Sequence, residues 1–139
     1  MAITGNIIIE DDVDDKEIFR EIIKELGYLD EIKWFVTTDK AIDYLKNNDE
    51  DIFLICCDIN LPGKNGLQLK MEMDSDPQLR KKSIPFIFLS TNASQRDVND
   101  AFTKMTVQGF FKKENSYARM KEILKTVLEY WSISKHPHT

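Results

Sequence analysis

The chain has 139 residues, of which 42% are hydrophobic and 31% are charged, and its formal net charge is −5. This length and composition fit one folded domain and exclude extended disorder. The negative charge argues against binding to nucleic acid or anionic lipid, and no apolar run reaches the roughly 20 residues that a membrane-spanning helix needs. We therefore expect a cytoplasmic protein with no nucleic-acid or membrane partner.

Five short apolar runs, rich in β-branched and aromatic residues, predict β-strands. In chain order they cover residues 6–10, 32–36, 51–57, 84–89 and 108–111. Segments with helical spacing of apolar residues follow these runs and predict helices over 18–26, 41–45, 65–74, 98–105 and 120–131. Gly27 and the pair Asn47 and Asn48 are typical of helix ends, whereas Ser94 and Ser116 are typical caps at a helix start.

Strands and helices alternate strictly, which favours a parallel sheet with helices on both faces, the doubly wound α/β class. The central strands must then be apolar on both sides, and the runs 53–57 and 86–89 meet this demand. Cys56 and Cys57 lie inside the first of these runs, so we interpret them as small core residues. Ligands of such sheets gather at the carboxyl ends of the strands.

Polar side chains stand at the carboxyl ends of four of the five predicted strands. They are Glu10, Asp11 and Asp12 at the first, Asp58 at the third, Ser90 and Thr91 at the fourth, and Lys112 and Lys113 at the fifth. Carboxylates that crowd together repel one another unless a cation lies among them. Oxygen ligands that leave room for water favour Mg²⁺, and Asp11 and Asp58 are the candidates for direct ligands.

A lysine at the end of the fifth strand would face these carboxylates, and Lys113 is the candidate. An ammonium group and a hydroxyl beside a metal-bound carboxylate would neutralise phosphoryl oxygens, so phosphoryl transfer would need no separate general base. The other acids that follow the first strand, Asp12, Asp14 and Asp15, are interpreted as solvated groups or as part of the helix start. Asp15 is the candidate cap of that helix.

Four ordered motifs resemble the receiver domain of two-component response regulators. They are Ile7-Ile8-Ile9-Glu10-Asp11-Asp12, Asp58-Ile59-Asn60-Leu61-Pro62-Gly63-Lys64-Asn65-Gly66-Leu67, Pro85-Phe86-Ile87-Phe88-Leu89-Ser90, and Gly109-Phe110-Phe111-Lys112-Lys113. The resemblance implies one receiver domain over about residues 5–131 and a short tail over 132–139. It also implies the flavodoxin-like (β/α)5 fold, in which the five-stranded parallel sheet has the strand order 2-1-3-4-5.

The resemblance implies that Asp58 is the phosphoacceptor. Its phosphoryl group would come from a phosphohistidine of a sensor histidine kinase, from a phosphotransfer protein or from a small phosphodonor. Glu10 and Asp11 would form the metal-binding pair, and Asn60 would offer its backbone carbonyl to Mg²⁺. Such a protein is a stoichiometric acceptor and not an enzyme that turns over small substrates.

Three further residues take positions that the family uses around the phosphoryl group. Ser90 would donate a hydrogen bond to it, and Lys113, rather than Lys112, takes the position of the family's lysine. Phe110 lies where the family has a switch aromatic, which turns inward after phosphorylation. Ordinary strand packing is the alternative interpretation for this ring.

Two positions depart from the family pattern. Glu114 follows Lys113 where the family usually has a proline joined by a cis peptide bond. A cis bond to a residue other than proline costs about 2.5 to 4 kcal/mol, so this loop is either rebuilt or strained. Thr91 occupies a position that is usually small, and its side chain would narrow access to the phosphoryl group.

The short segment 132–139 leaves no room for an effector domain, which predicts a stand-alone regulator that signals by contact. Phosphorylation would change the surface of the fourth helix, the fifth strand and the fifth helix. A downstream protein would bind there, or a second copy of the chain through Phe110, Tyr117 and Trp131. Three features also resemble stand-alone regulators that are paired with phytochrome-type histidine kinases: the acidic run over residues 10–15, the segment Asn60-Leu61-Pro62 and the ending Tyr130-Trp131.

Two other interpretations remain open. One is a Mg²⁺-dependent phosphatase of another doubly wound fold, although such enzymes commonly place an acid two residues after the nucleophile, where this chain has Asn60. The other is a degenerate receiver that keeps the fold as an interaction module independent of phosphorylation. The departures at Thr91 and Glu114 favour this second alternative.

Overall fold

The computed structural model describes residues 6–28 and 32–135, and within them the chain forms one five-stranded sheet. The strands are β1 (Asn6–Ile9), β2 (Ile32–Phe35), β3 (Leu54–Asp58), β4 (Phe86–Ser90) and β5 (Gly109–Lys112). All neighbouring strands are parallel, and their order is β2-β1-β3-β4-β5. The predicted doubly wound sheet with order 2-1-3-4-5 is therefore confirmed.

Six helices surround the sheet within the described residues. They are α1 (Val13–Leu26), α2 (Thr38–Lys46), α3 (Gly66–Ser75), α4 (Pro77–Lys81), α5 (Gln95–Lys104) and α6 (Tyr117–Ile133). The sequence predicted all of them except α4, a short helix that Asp76 caps by accepting hydrogen bonds from the backbone N–H groups of Gln78 and Leu79. Pro77 stands at its first turn, where a missing N–H has no cost.

Helix ends follow the predicted capping residues in most cases. Ser94 and Ser116 cap α5 and α6, and Gly27 ends α1 in the left-handed conformation with φ 89°. The prediction that Asp15 caps α1 was wrong, because Asp12 is the capping residue and accepts the backbone N–H of Asp15 at 2.9 Å. These caps determine which side chains of the first helical turns face the sheet.

The strand limits differ slightly from the predicted ones. The third strand begins at Leu54 rather than at residue 51 and ends at Asp58, although Ile52 and Phe53 are also buried. Apolar character therefore marked burial correctly but overstated the length of the hydrogen-bonded strand. The last helix continues to Ile133, beyond the predicted domain limit at residue 131, while residues 5 and 136–139 lie outside the described residues.

Two hydrophobic clusters cover the opposite faces of the sheet. Alternate residues of each central strand enter different clusters: Ile7 and Cys57 pack on one face, and Ile8 and Cys56 on the other. Burial of the thiols raises the pKa of Cys56 to about 12, which agrees with their interpretation as core residues. No helix in the described part of the chain is long and apolar enough to cross a membrane.

The strand register places the functional candidates at one edge. Ile9 of β1 pairs with Cys57 of β3, so the residues that follow them, Glu10 and Asp58, emerge side by side. Ser90 of β4 pairs with Lys112, and the backbone N–H of Lys113 donates to the carbonyl of Ser90 at 3.0 Å. The carboxyl edge of the sheet therefore holds the predicted acids, hydroxyl and lysine together.

Candidate functional site

The centre of the site is the buried side chain of Lys113, which is only 9% exposed. Its ammonium group donates hydrogen bonds to Glu10, to Asp58 at 3.2 Å and to Asp15 at 2.9 Å. Lys112, the neighbouring candidate, is exposed and lines a cavity together with Ser90 and Phe110. The alternation of side chains along a strand explains why only one of the two lysines can enter the site.

Three carboxylates form a cluster with the geometry of a metal site. Glu10, Asp11 and Asp58 each offer one oxygen, and these oxygens lie within 4.8 Å of one another. Glu10 and Asp58 are buried, whereas Asp11 is exposed and leaves the cluster open to solvent. An all-oxygen set that is open on one side suits a hard divalent cation that keeps part of its water shell. The residues present therefore fit the predicted Mg²⁺.

Backbone groups hold two of these carboxylates in place. The backbone N–H of Asn60 lies 3.4 Å from Oδ1 of Asp58, and the N–H of Asp12 lies 3.3 Å from Oε2 of Glu10. The second oxygen of each of these two side chains then faces Lys113. Asn60 itself is exposed and follows Asp58 at the mouth of the site, where its backbone carbonyl was predicted to face a metal ion.

Burial and charge act in opposite directions on these groups. Burial raises the pKa of Glu10 to about 7, even though the hydrogen bond and the charge of Lys113 favour the ionised carboxylate. Burial alone would lower the pKa of Lys113, but its hydrogen bonds to Glu10 and Asp15 outweigh that effect, and the pKa lies above its ordinary value. The site thus keeps its lysine charged and has more negative charge than one ammonium group can balance.

A cavity of about 590 Å³ lies at the ends of β4 and β5. Ser90, Thr91 and Phe110 line it, together with residues of the loop that leads into α5. The hydroxyl of Ser90 is buried and has no hydrogen-bond partner in the structure, which is unusual for a buried polar group. The half-buried ring of Phe110 lines the same cavity and contacts Phe88, with 5.6 Å between the ring centroids.

The loop after Asp58 is shaped by a close backbone approach. Gly66, the first residue of α3, donates its backbone N–H to the carbonyl of Ile59 at 2.9 Å. A Cβ atom at this position would clash with the carbonyl oxygen of Asp58. Only glycine fits there, so the start of α3 packs directly against the backbone of the predicted phosphoacceptor.

The two departures from the family pattern have simple structural outcomes. Among the described residues no peptide bond is cis, so the loop after Lys113 is rebuilt with a trans bond before Glu114. Glu114 is half-buried, and its carboxylate lies 3.8 Å from the guanidinium of Arg119. Thr91 is exposed and lines the cavity beside Ser90.

The sequence did not predict the role of Asp15 as a partner of Lys113. The residue was interpreted as a helix cap because an acid near a helix start usually has that role. The available signal was its position in the first turn of α1, shortly after β1 and Glu10. That signal has meaning only once the first turn is known to face the end of β5.

A doubly wound parallel sheet with an acidic cluster and a buried lysine at its carboxyl edge defines a class of α/β proteins that bind ligands at that edge. The family model of the response regulator receiver domain matches residues 7–125, which is most of the chain. The protein therefore belongs to the response regulator receiver domain family of two-component systems.

A relative and a solved structure agree with this assignment. The probable methanogenesis regulatory protein FilR2 of Methanothrix harundinacea is 23% identical over 129 residues, which are 90% of this chain and 81% of that protein. The structure of the phosphorylated cyanobacterial phytochrome response regulator RcpA has a TM-score of 0.85 and 25% identity, and the alignment covers 98% of this chain and 99% of RcpA.

A third similar protein is the receiver domain of the sensor histidine kinase PA1611 from Pseudomonas aeruginosa PAO1, which was solved with a magnesium ion in its active-site cleft. Its TM-score is 0.74 at 20% identity, and the alignment covers 96% of this chain and all of that domain. This similarity supports the shared fold.

Proposed function

We propose that this chain is a response regulator that accepts a phosphoryl group on Asp58 and signals through the surface of α5, β5 and α6. The observation that carries the proposal is the contact of the buried Lys113 ammonium with Asp58, beside a carboxylate cluster that is open to solvent. A buried carboxylate with a fixed cation and a metal-competent cluster beside it has what phosphoryl transfer requires, because that reaction depends on positioning and charge neutralisation.

In the proposed reaction a carboxylate oxygen of Asp58 attacks the phosphorus atom of a phosphohistidine or of a small phosphodonor. A phosphorus–oxygen bond forms, and the bond from phosphorus to the donor breaks, so the leaving group keeps the bonding electrons. Lys113 would turn from the carboxylate to a phosphoryl oxygen. Mg²⁺, held by Glu10, Asp11, Asp58 and the carbonyl of Asn60, would supply further neutralisation of the phosphoryl charge.

Ser90 and Phe110 are the proposed switch. The hydroxyl of Ser90 has no partner, so it is available to donate a hydrogen bond to a phosphoryl oxygen. Movement of this hydroxyl would free space in the adjoining cavity, and the ring of Phe110 would turn into it. The elements α5, β5 and α6 are the fourth helix, fifth strand and fifth helix of the sequence prediction. The shape of the surface that they form would change when the ring of Phe110 turns.

The proposed partners are a sensor histidine kinase or a phosphotransfer protein and a downstream protein. The similarity to the cyanobacterial phytochrome response regulator RcpA supports a phytochrome-type kinase as the partner. A homodimer through α5, β5 and α6 is also proposed. Of its predicted aromatic anchors, Tyr117 is exposed, whereas Phe110 and Trp131 are half-buried.

The test is mass spectrometry after incubation with acetyl phosphate and Mg²⁺. We expect the wild type and the variant Asp49→Asn to gain the mass of one phosphoryl group, because Asp49 is an exposed aspartate outside the site. Asp58→Asn should gain nothing, and chelation of Mg²⁺ should strongly reduce the gain in the wild type. A phosphoryl group on Asp58→Asn would refute the assignment of the acceptor.

The alternative function is an interaction module that does not depend on phosphorylation. The exposed Thr91 at the mouth of the cavity favours it, because a larger side chain there restricts the approach of a phosphodonor. If the wild type gains no mass under the same conditions while it remains folded, this alternative is preferred.

A further inference from the structure

Asp15 contributes a fourth carboxylate to the site, and nothing in the family assignment gives it a role. Its Oδ2 accepts a hydrogen bond from Nζ of Lys113 at 2.9 Å, a shorter distance than the 3.2 Å to Asp58. We propose that Asp15 is a positioning residue that keeps the ammonium group of Lys113 at the site when the other carboxylates bind a metal ion or a phosphoryl group. The kinetic part of this inference rests on the proposed function.

Asp15 is held rigidly enough for this role. Its backbone N–H is bound at 2.9 Å by the side chain of Asp12, which caps α1. Its side chain is one-third exposed, so it reaches the ammonium group from the solvent side of the site. Removal of the carboxylate charge would leave the helix start intact, because the capping bond uses the backbone of Asp15 and not its side chain.

A second residue of α1 lies against the same lysine. The ring centroid of Phe19 is 5.9 Å from Nζ of Lys113, within the range of a cation–π contact. Asp15 and Phe19 are four residues apart and share one face of the helix. The first turns of α1 therefore present both an anion and an aromatic ring to the end of β5, which is the arrangement expected of a dedicated lysine site.

Asp15 differs from the other two partners of Lys113 because it does not belong to the carboxylate cluster that could bind a metal ion. The ammonium group has three hydrogens, and Glu10, Asp15 and Asp58 each accept one. Glu10 and Asp58 also belong to the cluster that could hold a metal ion, whereas Asp15 does not. A divalent cation would draw those two carboxylates to itself and would repel the ammonium group. Asp15 is the one partner in this set that remains free to hold Lys113.

The first experiment measures the rate of phosphoryl transfer from acetyl phosphate at saturating Mg²⁺. Asp15→Asn is compared with Asp14→Asn, because Asp14 is an exposed acid of the same helical turn that controls for loss of one charge. We expect Asp15→Asn to slow transfer about tenfold, since a misplaced catalytic group has effects of this size or more. Asp14→Asn should stay within about twofold, and Asp15→Glu should restore most of the rate.

A double-mutant comparison shows whether Asp15 acts through Lys113. In a Lys113→Met background, Asp15→Asn should cause no further slowing, because the group that it positions is gone. Equal slowing in both backgrounds would overturn the proposal, as would equal rates for Asp15→Asn and Asp14→Asn in the presence of Lys113.

The second experiment does not depend on phosphorylation. In protein with ¹⁵N-labelled lysine, a buried and ion-paired ammonium group gives a resolved Nζ signal, and Lys70, which is also buried, serves as the internal reference. With Mg²⁺ alone, the signal of Lys113 should persist in the wild type and in Asp14→Asn and should disappear in Asp15→Asn, while the signal of Lys70 stays. Persistence in Asp15→Asn refutes the inference, even if the wild type proves unable to take a phosphoryl group.

Discussion

Two lysines among the described residues are buried, and their surroundings are very different. Lys113, at the carboxyl edge of the sheet, contacts three carboxylates, and the fourth, Asp11, lies in the same cluster. Lys70 lies on α3 near the start of β4, where its ammonium group is 2.9 Å from Asp74 and 5.2 Å from the ring centroid of Phe86. One lysine stands among an excess of anions, whereas the other has one matched partner.

The carboxylate of Asp74 has partners besides Lys70. Besides Lys70, Asp74 accepts hydrogen bonds from the backbone N–H and the hydroxyl of Thr106, both at 2.8 Å. Burial lowers the pKa of Lys70 in spite of Asp74, whereas the hydrogen bonds of Lys113 reverse the effect of burial. The Lys70–Asp74 pair and Thr106 join two elements, α3 and the segment after α5, whereas unbalanced charge at a strand end is typical of a functional site.

Helix α3 links the two regions. Its first residue, Gly66, packs against the carbonyl of Asp58, and its last turn carries Asp74. Asp58, the candidate phosphoacceptor, is therefore connected through α3 to the hydrogen bonds between Asp74 and Thr106, a residue that follows α5. The two regions differ in charge balance, and their separate contributions to stability can be measured.

The largest expected effect comes from removal of the matched anion. Asp74→Ala would leave Lys70 buried without a partner and would free both donors of Thr106, so we expect the free energy of unfolding to fall by about 3 to 5 kcal/mol. Urea denaturation at neutral pH measures it. The double variant Lys70→Met with Asp74→Leu, which removes both charges, should lose clearly less. Equal losses would contradict the view that the buried charge is the cause.

An effect of intermediate size is expected from pH at the carboxyl edge. The pKa of Glu10 rises from 4.5 to about 7 on folding, so the folded state holds an extra proton between these values. The free energy of unfolding in the absence of divalent ions should therefore fall as the pH rises through this window, by an amount on the order of 2 kcal/mol. Denaturation series at several pH values test this.

A variant at Glu10 tests whether this residue causes the slope of stability against pH. Glu10→Gln should remove it, and an unchanged slope in this variant would exclude Glu10 as its source. The pair of Lys70 and Asp74 affects stability in a different pH range. Burial tends to raise the pKa of Asp74, but the hydrogen bonds from Thr106 and Lys70 place this pKa below its ordinary value of 3.8. The contribution of Asp74 to the free energy of unfolding is therefore lost only as the pH falls through its lowered pKa, below 3.8.

The smallest effect is expected at the exposed member of the acidic cluster. Asp11→Asn relieves repulsion with Glu10 and Asp58, so without Mg²⁺ it should stabilise the fold by less than about 1 kcal/mol. With Mg²⁺ the order should reverse, because the wild type gains more from ligand binding. Melting curves with and without Mg²⁺ measure both signs. A destabilised variant in the absence of metal would show that the cluster is not in charge excess.

Most of the fold was predictable because it follows from local periodicity. The apolar runs of β3 and β4 and the serine caps of α5 and α6 depend on residues close in the chain. Helix α4 was missed because its five residues are too few to show a periodic pattern. The cap of α1 was assigned to Asp15 instead of Asp12, because the choice among several neighbouring acids depends on the direction in which the strand leaves the sheet.

The sequence by itself determined all helices and strands except α4, the parallel sheet and the set of groups at its carboxyl edge, since periodicity is local and parallel strands bring their carboxyl ends to one edge. The strand order followed from the resemblance to receiver domains. Only the tertiary structure decided that Lys113 contacts Glu10, that Asp15 also binds this lysine, and that Ser90 has an unpaired hydroxyl beside a cavity. These features join residues up to 103 positions apart, such as Glu10 and Lys113, and their energies depend on burial and charge that no local pattern contains.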